Sequence, residues 1–459
     1  MNKRLGYTHN YTTIPDAGIT HLDSVSQSVC KLLANDPFIR ASDICKQLGI
    51  SVDNYIKLSK TIRSDSSAQN YILYQGHGTK YWSNTIGPLL ESGSLHTAIN
   101  RTYMYPNRVG LYTGMSCMFY CNFCGRNPVA EYSKELNDSS FNLFKQIIDQ
   151  DPRTDLSWPD RFRISGGLEP LTNSNLGRII TYGRDQGYKM QLYTNGYMMT
   201  ERYLTRHPGM LDLYAVRFSL YGVDAESAFR VTRHPKSFDN IIANIINYLN
   251  QTTDTRVGVN WIVLPGHAND VIKLIDIIQY INQTATRPVD FVTLREDFSQ
   301  NIRVISDPER KQLMQIFQKI ENMRQSWPTH WDFGYSLESL DHGRNSGQLR
   351  MVNWQQMIPE GFPQVSVAVD VKGDVYNYHE SGFLDRPGAS RYIIGNIQGS
   401  SVEEQVQNWI SKNKKVRPLP PDIGFLDAFD HVVSELIIQA REDEQFGVSW
   451  EQGPVACRQ

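Results

Sequence analysis

The chain has 459 residues, of which 40% are hydrophobic and 20% are charged, and its formal net charge is −2. A chain of this length predicts two or three domains, each large enough to bury a core. Its near-neutral charge lacks the global basic excess that is typical of nucleic-acid-binding proteins. We therefore expect no nucleic-acid partner.

The sequence gives no sign of a membrane or secretory protein. No apolar run approaches the length of a membrane span, and residues 1–13 contain no signal-peptide core. Cys30, Cys45 and Cys457 lack the spacing of a disulfide framework, which is typical of free thiols in a reducing compartment. We expect a cytoplasmic protein without a membrane partner.

Residues 1–104 have the pattern of a small helical domain. Apolar spacing predicts three helices, which begin near Leu22, Ala41 and Val52. The second and third helices flank a turn at Gly49, as in helix-turn-helix proteins, some of which bind DNA. The third helix offers Lys57 and Lys60 but no basic stripe, so we favour a domain that packs on an enzyme over a DNA-binding regulator.

Residues 105–340 alternate between short apolar strands and helical patterns. Strands are predicted over Arg108–Thr113, Arg161–Ser165, Lys189–Thr194, Ala215–Tyr221, Arg256–Leu264 and Val289–Leu294. Intervening helices include Phe141–Asp149, Asn240–Leu249 and Val271–Ile281. Six successive βα units predict an α/β fold, a parallel sheet curled into a partial (β/α)6 TIM-type barrel. In such a barrel, reactive groups lie at the C-terminal ends of the strands.

Residues 341–459 form a C-terminal extension of different character. Antiparallel strands are predicted over Gln364–Val371, Gly373–Tyr378 and Arg391–Ile397, followed by a helix over Val402–Ile410. The Pro-rich segment Pro418–Pro421 then leads to a last amphipathic helix that contains Phe429 and Leu436. The extension therefore predicts a β-hairpin with helices.

Three cysteines follow the first predicted barrel strand. Cys117, Cys121 and Cys124 have C-x3-C-x2-C spacing. Three thiolates this close together favour a [4Fe–4S] cluster with one iron open to another ligand. The alternatives are three structural thiols or a zinc site with a distant fourth ligand, but zinc sites usually pair one C-x2-C with a second, and the sequence contains no second one.

The ends of the next four predicted strands also carry candidate ligand contacts. Gly166 and Gly167 let backbone approach a ligand closely, and Glu169 can accept hydrogen bonds from an ammonium group. Asn195 and Ser219 are placed to hydrogen-bond a ligand, although turn formation explains Asn195-Gly196 equally well. Leu264 offers an apolar surface after the fifth strand.

Charged and aromatic residues elsewhere are candidates for substrate contacts. Arg295, Glu296 and Asp297 end the sixth predicted strand. They form either a solvated strand end or an anion contact with an acid and a base. Arg126 is a second candidate for an anion contact. The segment Tyr81-Trp82-Ser83-Asn84-Thr85 either packs between domains or lines a pocket mouth.

The cysteine motif and the glycine-rich segment Ser165–Pro170 together resemble the radical S-adenosylmethionine (SAM) superfamily. Within it, the chain is similar to the TDP-4-amino-4,6-dideoxy-D-glucose ammonia-lyases (deaminases) of desosamine biosynthesis. The similarity extends over Tyr81–Thr85, Val109–Tyr112, Ser165–Asn173, Tyr193–Asn195, Ser219–Gly222, Ile262–Gly266 and Asp290–Ser299.

The resemblance implies two cofactors, one [4Fe–4S] cluster on the three cysteines and SAM on its open iron. It implies that Phe123 and Leu264 lie beside the adenine of SAM, Gly166, Gly167 and Glu169 at its amino group, and Asn195 and Ser219 at its ribose or carboxylate. The extension resembles the SPASM type. Because Tyr378 stands where a ligating cysteine would be and no cysteine occurs between Cys124 and Cys457, we expect no auxiliary cluster.

The resemblance also implies a reaction. A nucleotide-bound amino sugar would lose hydrogen from C3 and ammonia from C4, giving a 3-keto-4,6-dideoxy sugar. The expected substrate contacts are Tyr81, Trp82, Asn84, Arg126 and Arg295, the expected acid and base are Glu296 and Asp297, and the electron donor would be a flavodoxin or ferredoxin. The alternatives are a radical SAM sugar dehydrogenase or epimerase, a peptide-modifying radical SAM enzyme, and a DNA-binding regulator that uses the cluster as a sensor.

Overall fold

The computed structural model describes residues 16–35, 39, 41–65, 67–68, 71, 93–121, 124, 132–152, 161–165, 168–264, 266–296, 306–323, 326–332, 360–378, 388–412, 416, 434 and 437. Within these ranges, α1 (Ser24–Asn35), α2 (Ala41–Leu48) and α3 (Val52–Ser64) pack against one another near the N-terminus. This confirms the three predicted helices. No helix in the described ranges is long and apolar enough to cross a membrane.

A single mixed sheet contains the ten strands that the described residues form. Their bounds are β1 (Arg108–Tyr112), β2 (Phe162–Ile164), β3 (Gln191–Thr194), β4 (Ala215–Leu220), β5 (Arg256–Val263), β6 (Phe291–Glu296), β7 (His330–Asp332), β8 (Ser366–Asp370), β9 (Asp374–Tyr376) and β10 (Ile393–Asn396). The order is β10-β9-β8-β1-β2-β3-β4-β5-β6-β7. Strands β1 to β7 run parallel, which confirms the α/β class and the six predicted strands of the parallel sheet. The curling of this sheet into a partial barrel stays a prediction.

Two features of this sheet go beyond the sequence prediction. Strand β7 extends the parallel sheet beside β6. Strand β8 of the extension pairs in parallel with β1, with Tyr112 opposite Asp370. Strand β9 is antiparallel to both of its neighbours, β8 and β10, as predicted. The extension therefore continues the barrel sheet at the edge next to the cysteine loop. The domain boundaries at 104 and 340 stay predictions.

Helices connect the strands. They are α4 (Ser94–Ile99), α5 (Lys134–Asp149), α6 (Leu176–Asp185), α7 (Glu201–Arg206), α8 (Ala225–Thr232), α9 (Ser237–Gln251), α10 (Asp270–Thr284), α11 (Asp307–Met323) and α12 (Val402–Ser411). Local sequence fixes where several of them start. Asp224, for example, accepts a hydrogen bond from the backbone N–H of Ser227 (2.8 Å), and the Ser227 hydroxyl accepts one from the Asp224 N–H (3.1 Å), so α8 begins directly after β4.

Side chains of each strand alternate between the two faces of the sheet. On β4, Val216, Phe218 and Leu220 are fully buried, and the Phe218 ring lies 5.8 Å from the ring of Tyr248 on α9. Arg217, between Val216 and Phe218 in the sequence, lies on the opposite face by this alternation. The face of the sheet that carries Phe218 therefore packs against helices and forms part of the apolar core.

Candidate cofactor site

The three cysteines lie in the loop that follows β1. Cys117 and Cys121 are half-buried and Cys124 is exposed. The loop folds on itself, because the Cys124 N–H donates to the Cys121 carbonyl (3.0 Å) and the Phe119 N–H donates to Cys117 Sγ (3.4 Å). Burial raises the pKa of Cys121, and the neighbouring thiols of Cys124 and Cys117 raise it further. Three thiolates in this loop would therefore need a nearby cation to be stable.

The donor set fits an iron–sulfur cluster better than a single metal ion. In the part of the chain that the structure describes, no three His, Cys, Asp or Glu side chains converge closely enough to hold one ion. A cluster instead places each thiolate on a separate iron, so its ligands need not meet at one point. The three cysteines therefore fit a cluster.

The segment Leu168–Asn175 is tied to this loop by backbone and side-chain hydrogen bonds. The Glu169 N–H donates to the Ser116 carbonyl (2.9 Å), and the Thr172 hydroxyl accepts from the Met115 N–H (3.0 Å). Two further bonds involve Asn173, whose Nδ2 donates to the Thr113 carbonyl at 3.0 Å and whose Oδ1 accepts from the Asn175 N–H at 2.9 Å. The cysteine loop and the segment that carries Glu169 thus form one connected unit.

Gly114 makes this close approach possible, and the sequence analysis missed it. A Cβ at Gly114 would lie 2.3 Å from the Leu168 carbonyl oxygen and 2.9 Å from the Glu169 carbonyl carbon. Such contacts are impossible without moving backbone. The sequence signal that could have identified this close approach is a glycine between the first predicted strand and the cysteine motif.

The Glu169 carboxylate is buried and held by three donors. Its Oε1 accepts from the Leu171 N–H (3.1 Å) and from the Thr194 hydroxyl, and its Oε2 accepts from the Asn195 N–H (2.8 Å). Burial raises the pKa of Glu169, while these hydrogen bonds act in the opposite direction. Because a carboxylate offers about four acceptor sites, one remains for a cationic ligand. Thr194 is a second contact that the sequence analysis did not select.

Asn195 faces the cysteine loop. Its Nδ2 lies 3.2 Å from Met118 Sδ and 3.9 Å from Cys117 Sγ, and its Oδ1 accepts from the Tyr197 N–H (2.9 Å). The neighbouring Gly196 has a φ of 70°, and a Cβ there would meet the Phe218 ring at 2.3 Å. Turn formation and approach to the cysteine loop therefore both explain the Asn-Gly pair.

An aromatic cluster also packs against the cysteine loop. The centroid of the Phe119 ring lies 5.7 Å from that of Tyr197 and 5.5 Å from that of His234. The centroids of Tyr197 and His234 are 4.5 Å apart. The Tyr120 N–H donates to the Thr232 carbonyl at the end of α8 (2.8 Å). These contacts hold the loop against the turn between α8 and α9.

A cavity of about 310 Å³ opens at the C-terminal ends of β4 and β5. Leu264 lines it, as do Tyr221, Gly222, Ser227, Arg230, Val231, Arg233, Trp261, Ile262, His267 and Asp270. Ser219 does not line this cavity. It is half-buried on β4, where it pairs with Asn260 of β5.

Arg295 and Glu296 close β6, opposite Ile262 and Val263 of β5. Their backbone lies at the C-terminal end of the sheet, as predicted. The candidates outside the described residues are Tyr81, Trp82, Asn84, Phe123, Arg126, Gly166, Gly167 and Asp297.

Substitution Gly114→Ala tests the connection between the two loops. The added methyl group must displace the Leu168 carbonyl, so we expect a loss of about 1–3 kcal/mol in the free energy of unfolding, measured by urea denaturation. Ser116→Ala, in the same loop, is the matched control and should change stability little. Equal stability of the two variants would contradict the close approach.

Comparison with known proteins places the chain in a family. No family model matches it. The chain is 34% identical over 427 residues to the dTDP-4-amino-4,6-dideoxy-D-glucose ammonia-lyase of Streptomyces venezuelae. The aligned region covers 91% of this chain and 87% of the relative. It is 28% identical over 122 residues to the S-adenosylmethionine-dependent nucleotide dehydratase of Selenomonas ruminantium, with 26% of this chain and 39% of the relative covered.

Solved structures match this chain at low identity and with TM-scores below 0.5. SuiB of Streptococcus suis bound to the precursor peptide SuiA has a TM-score of 0.45 at 12% identity, covering 74% of this chain and 81% of SuiB. Native anSMEcpe with bound AdoMet has a TM-score of 0.43 at 14% identity, covering 68% of this chain and 84% of that chain. The assignment rests on the Streptomyces relative: the chain belongs to the radical SAM ammonia-lyase family of that enzyme and is a radical SAM carbon–nitrogen lyase.

Proposed function

We propose that the enzyme removes ammonia from a nucleotide-bound amino-deoxysugar, with TDP as the nucleotide. The similarity to the Streptomyces ammonia-lyase over 91% of the chain carries this proposal. In this elimination a hydrogen atom is taken from C3 and the C4 amine leaves as ammonia. The radical that remains then gains one hydrogen atom, or one electron from the donor and a proton, to give a 3-keto-4,6-dideoxy sugar. We place the reaction in the cytoplasm, with a flavodoxin or ferredoxin as electron donor.

Two cofactors serve this reaction in the proposal. Cys117, Cys121 and Cys124 would hold one [4Fe–4S] cluster, and SAM would bind its open iron. When both are bound, they supply hydrogen-atom abstraction at the substrate. The protein's own task is to orient the C3–H bond toward SAM and to exclude groups that would quench a radical.

Glu169 is the proposed partner of the SAM amino group. Its remaining acceptor site suits an ammonium, and the hydroxyl of Thr194 and the N–H of Asn195 fix the carboxylate beside the cysteine loop. Gly166 and Gly167 would allow close approach of backbone. Further SAM contacts in the proposal are Phe123 and Leu264 at the adenine and Asn195 and Ser219 at the ribose or carboxylate.

The elimination also needs proton transfers at the sugar. The C3 hydroxyl must lose a proton as the ketone forms, and the amine leaves more easily as ammonium. Glu296 and Asp297, at the end of β6, are the proposed base and acid. The proposed substrate contacts are Tyr81, Trp82, Asn84, Arg126 and Arg295.

Product analysis with a labelled substrate tests this function. Reconstituted enzyme is supplied with reductant, SAM and TDP-4-amino-4,6-dideoxy-D-glucose that carries deuterium at C3. We expect a 3-keto sugar, free ammonia and deuterated 5′-deoxyadenosine by mass spectrometry. Deuterated deoxyadenosine with a dehydrogenated or epimerised amino sugar would overturn the lyase assignment. Cys121→Ala should abolish all products, whereas Cys45→Ala, outside the motif, should not.

Substitution Thr194→Val tests the proposed role of Glu169. Valine keeps the shape of threonine but removes one donor from a buried carboxylate, so we expect SAM affinity to fall about tenfold, as one charge-assisted hydrogen bond is lost. The pKa of Glu169 should also rise, because a hydrogen bond that favours the ionised form is gone.

The rise in the pKa of Glu169 should change the pH dependence of SAM binding. Only ionised Glu169 accepts fully from an ammonium, so SAM affinity in the Thr194→Val variant should decline at a higher pH than in the wild type as the pH is lowered. Thr194→Ser, which keeps the hydroxyl, is the matched control and should bind SAM like the wild type. Equal dissociation constants and pH profiles for the valine and serine variants, measured by equilibrium dialysis, would contradict this role.

A further inference from the structure

The α8–α9 turn (residues 232–237) contacts the cysteine loop in two ways. The Thr232 carbonyl accepts a hydrogen bond from the Tyr120 N–H at 2.8 Å. The ring of His234 packs on the ring of Phe119, with their centroids 5.5 Å apart. Phe119 and Tyr120 lie between the first two cysteines of the motif, so the turn restrains the segment that sets the spacing of these two thiols.

Buried hydrogen bonds hold the turn in place. The Thr232 hydroxyl donates to the Ala228 carbonyl at 2.8 Å and accepts from the His234 N–H at 3.2 Å. It also lies 3.0 Å from the Ser237 hydroxyl. Thr232 and Ser237 are each 1% exposed, and a satisfied network of buried polar groups makes the surrounding structure rigid. The turn is therefore a fixed surface against which the cysteine loop packs.

The backbone of the turn has a conformation that its sequence does not favour. Among the described residues, three non-glycine residues have a positive φ, and two of these are Arg233 (57°) and Lys236 (60°). Residues other than glycine rarely adopt this left-handed conformation. Such residues persist where the surrounding structure fixes them, and they cluster at functional sites. Arg233 and Lys236 flank His234 and Pro235, so they set the direction in which the His234 ring projects.

The His234 ring joins three separate elements. Its centroid lies 4.5 Å from that of Tyr197 in the loop after β3, and the Tyr197 centroid lies 5.7 Å from that of Phe119. Asn244 of α9 donates to the Tyr197 carbonyl at 2.9 Å, and His234 Nδ1 donates to the Pro235 carbonyl at 2.7 Å. His234 is half-buried and Phe119 is 3% exposed, so the His234 ring helps to shield Phe119 from water.

The cysteine loop is thus held at two points. The Glu169 N–H holds it at Ser116, directly before the first cysteine, and the turn holds it at Phe119 and Tyr120, directly before the second. Groups that orient the ligands of a metal contribute strongly to its affinity. The solvent exposure of an iron–sulfur cluster also helps to set its reduction potential.

We propose that His234 is a positioning residue for the iron–sulfur cluster. Its ring, fixed by the α8–α9 turn, holds Cys117 and Cys121 at the spacing that the cluster needs and keeps water from this side of it. The inference rests on the proposed cluster and goes beyond it, because it gives a role to a turn that contains none of the candidate ligands.

A redox titration of the cluster-containing enzyme, followed by electron paramagnetic resonance, tests this role. In His234→Ala the potential should shift to a less negative value, because water that reaches the cluster stabilises the added negative charge of the reduced state. Loss of the cluster in air should also be severalfold faster. His234→Phe keeps the ring and should restore both values. His207→Ala is the matched control, because His207 is also half-buried but packs on Tyr203 (4.4 Å).

Thiol alkylation of the metal-free chain gives a readout that does not depend on the cluster. In His234→Ala, iodoacetamide should modify Cys121 severalfold faster than in the wild type, measured by peptide mass spectrometry, because the loop opens more often. Cys45, in α2, is an internal reference whose rate should not change unless the whole chain unfolds. Thr232→Val removes the hydrogen bonds that fix the turn but leaves the ring, and it should act in the same direction.

Two results would overturn the inference and leave the proposed function standing. One is a wild-type potential, air stability and Cys121 alkylation rate in both His234→Ala and Thr232→Val. The other is equal effects of His234→Ala and His234→Phe, which would show that the ring does not act by packing. A wild-type chain that binds no cluster would instead overturn the proposed function, and the inference with it.

Discussion

The close approach of two loops, at Gly114 and Leu168, is the constraint on which the candidate site depends. Without a side chain at Gly114, the Glu169 N–H reaches the Ser116 carbonyl, and Thr172 and Asn173 bind backbone on the cysteine side. The carboxylate of Glu169 is thereby held beside a loop of three thiols. A ligand that is bound to a cluster on the three cysteines can place its ammonium group on Glu169 only if the carboxylate and the thiols lie close together. The contacts between the two loops bring them close together.

The two faces of the sheet carry side chains with different roles. On β4, side chains such as Phe218 pack against the helices and supply part of the apolar core, while Arg217 and Ser219 lie on the other face of the sheet. Strand β8 adds to the sheet beside β1. The strand that leads into the cysteine loop is thus paired on both sides, which restrains the loop at its origin.

The sequence predicted the features that depend on local patterns. Six of the parallel strands follow from the periodicity of apolar residues. The choice of the three cysteines and of Glu169 as candidates follows from short sequence motifs. Strand β7 was missed because three residues, His330–Asp332, give no usable alternation, and the parallel pairing of β8 with β1 was missed because it joins segments far apart in the chain. The roles of Gly114 and Thr194 depend on contacts with residues far away in the sequence, which no single segment reveals.

The central claim is that Glu169 and the cysteine loop form one SAM site. Electron paramagnetic resonance of the reduced cluster, recorded with and without SAM, tests it most directly in the Glu169→Gln variant. The account predicts a cluster signal like that of the wild type without SAM and a greatly reduced spectral change when SAM is added. A spectral change equal to that of the wild type at the same SAM concentration would contradict the account.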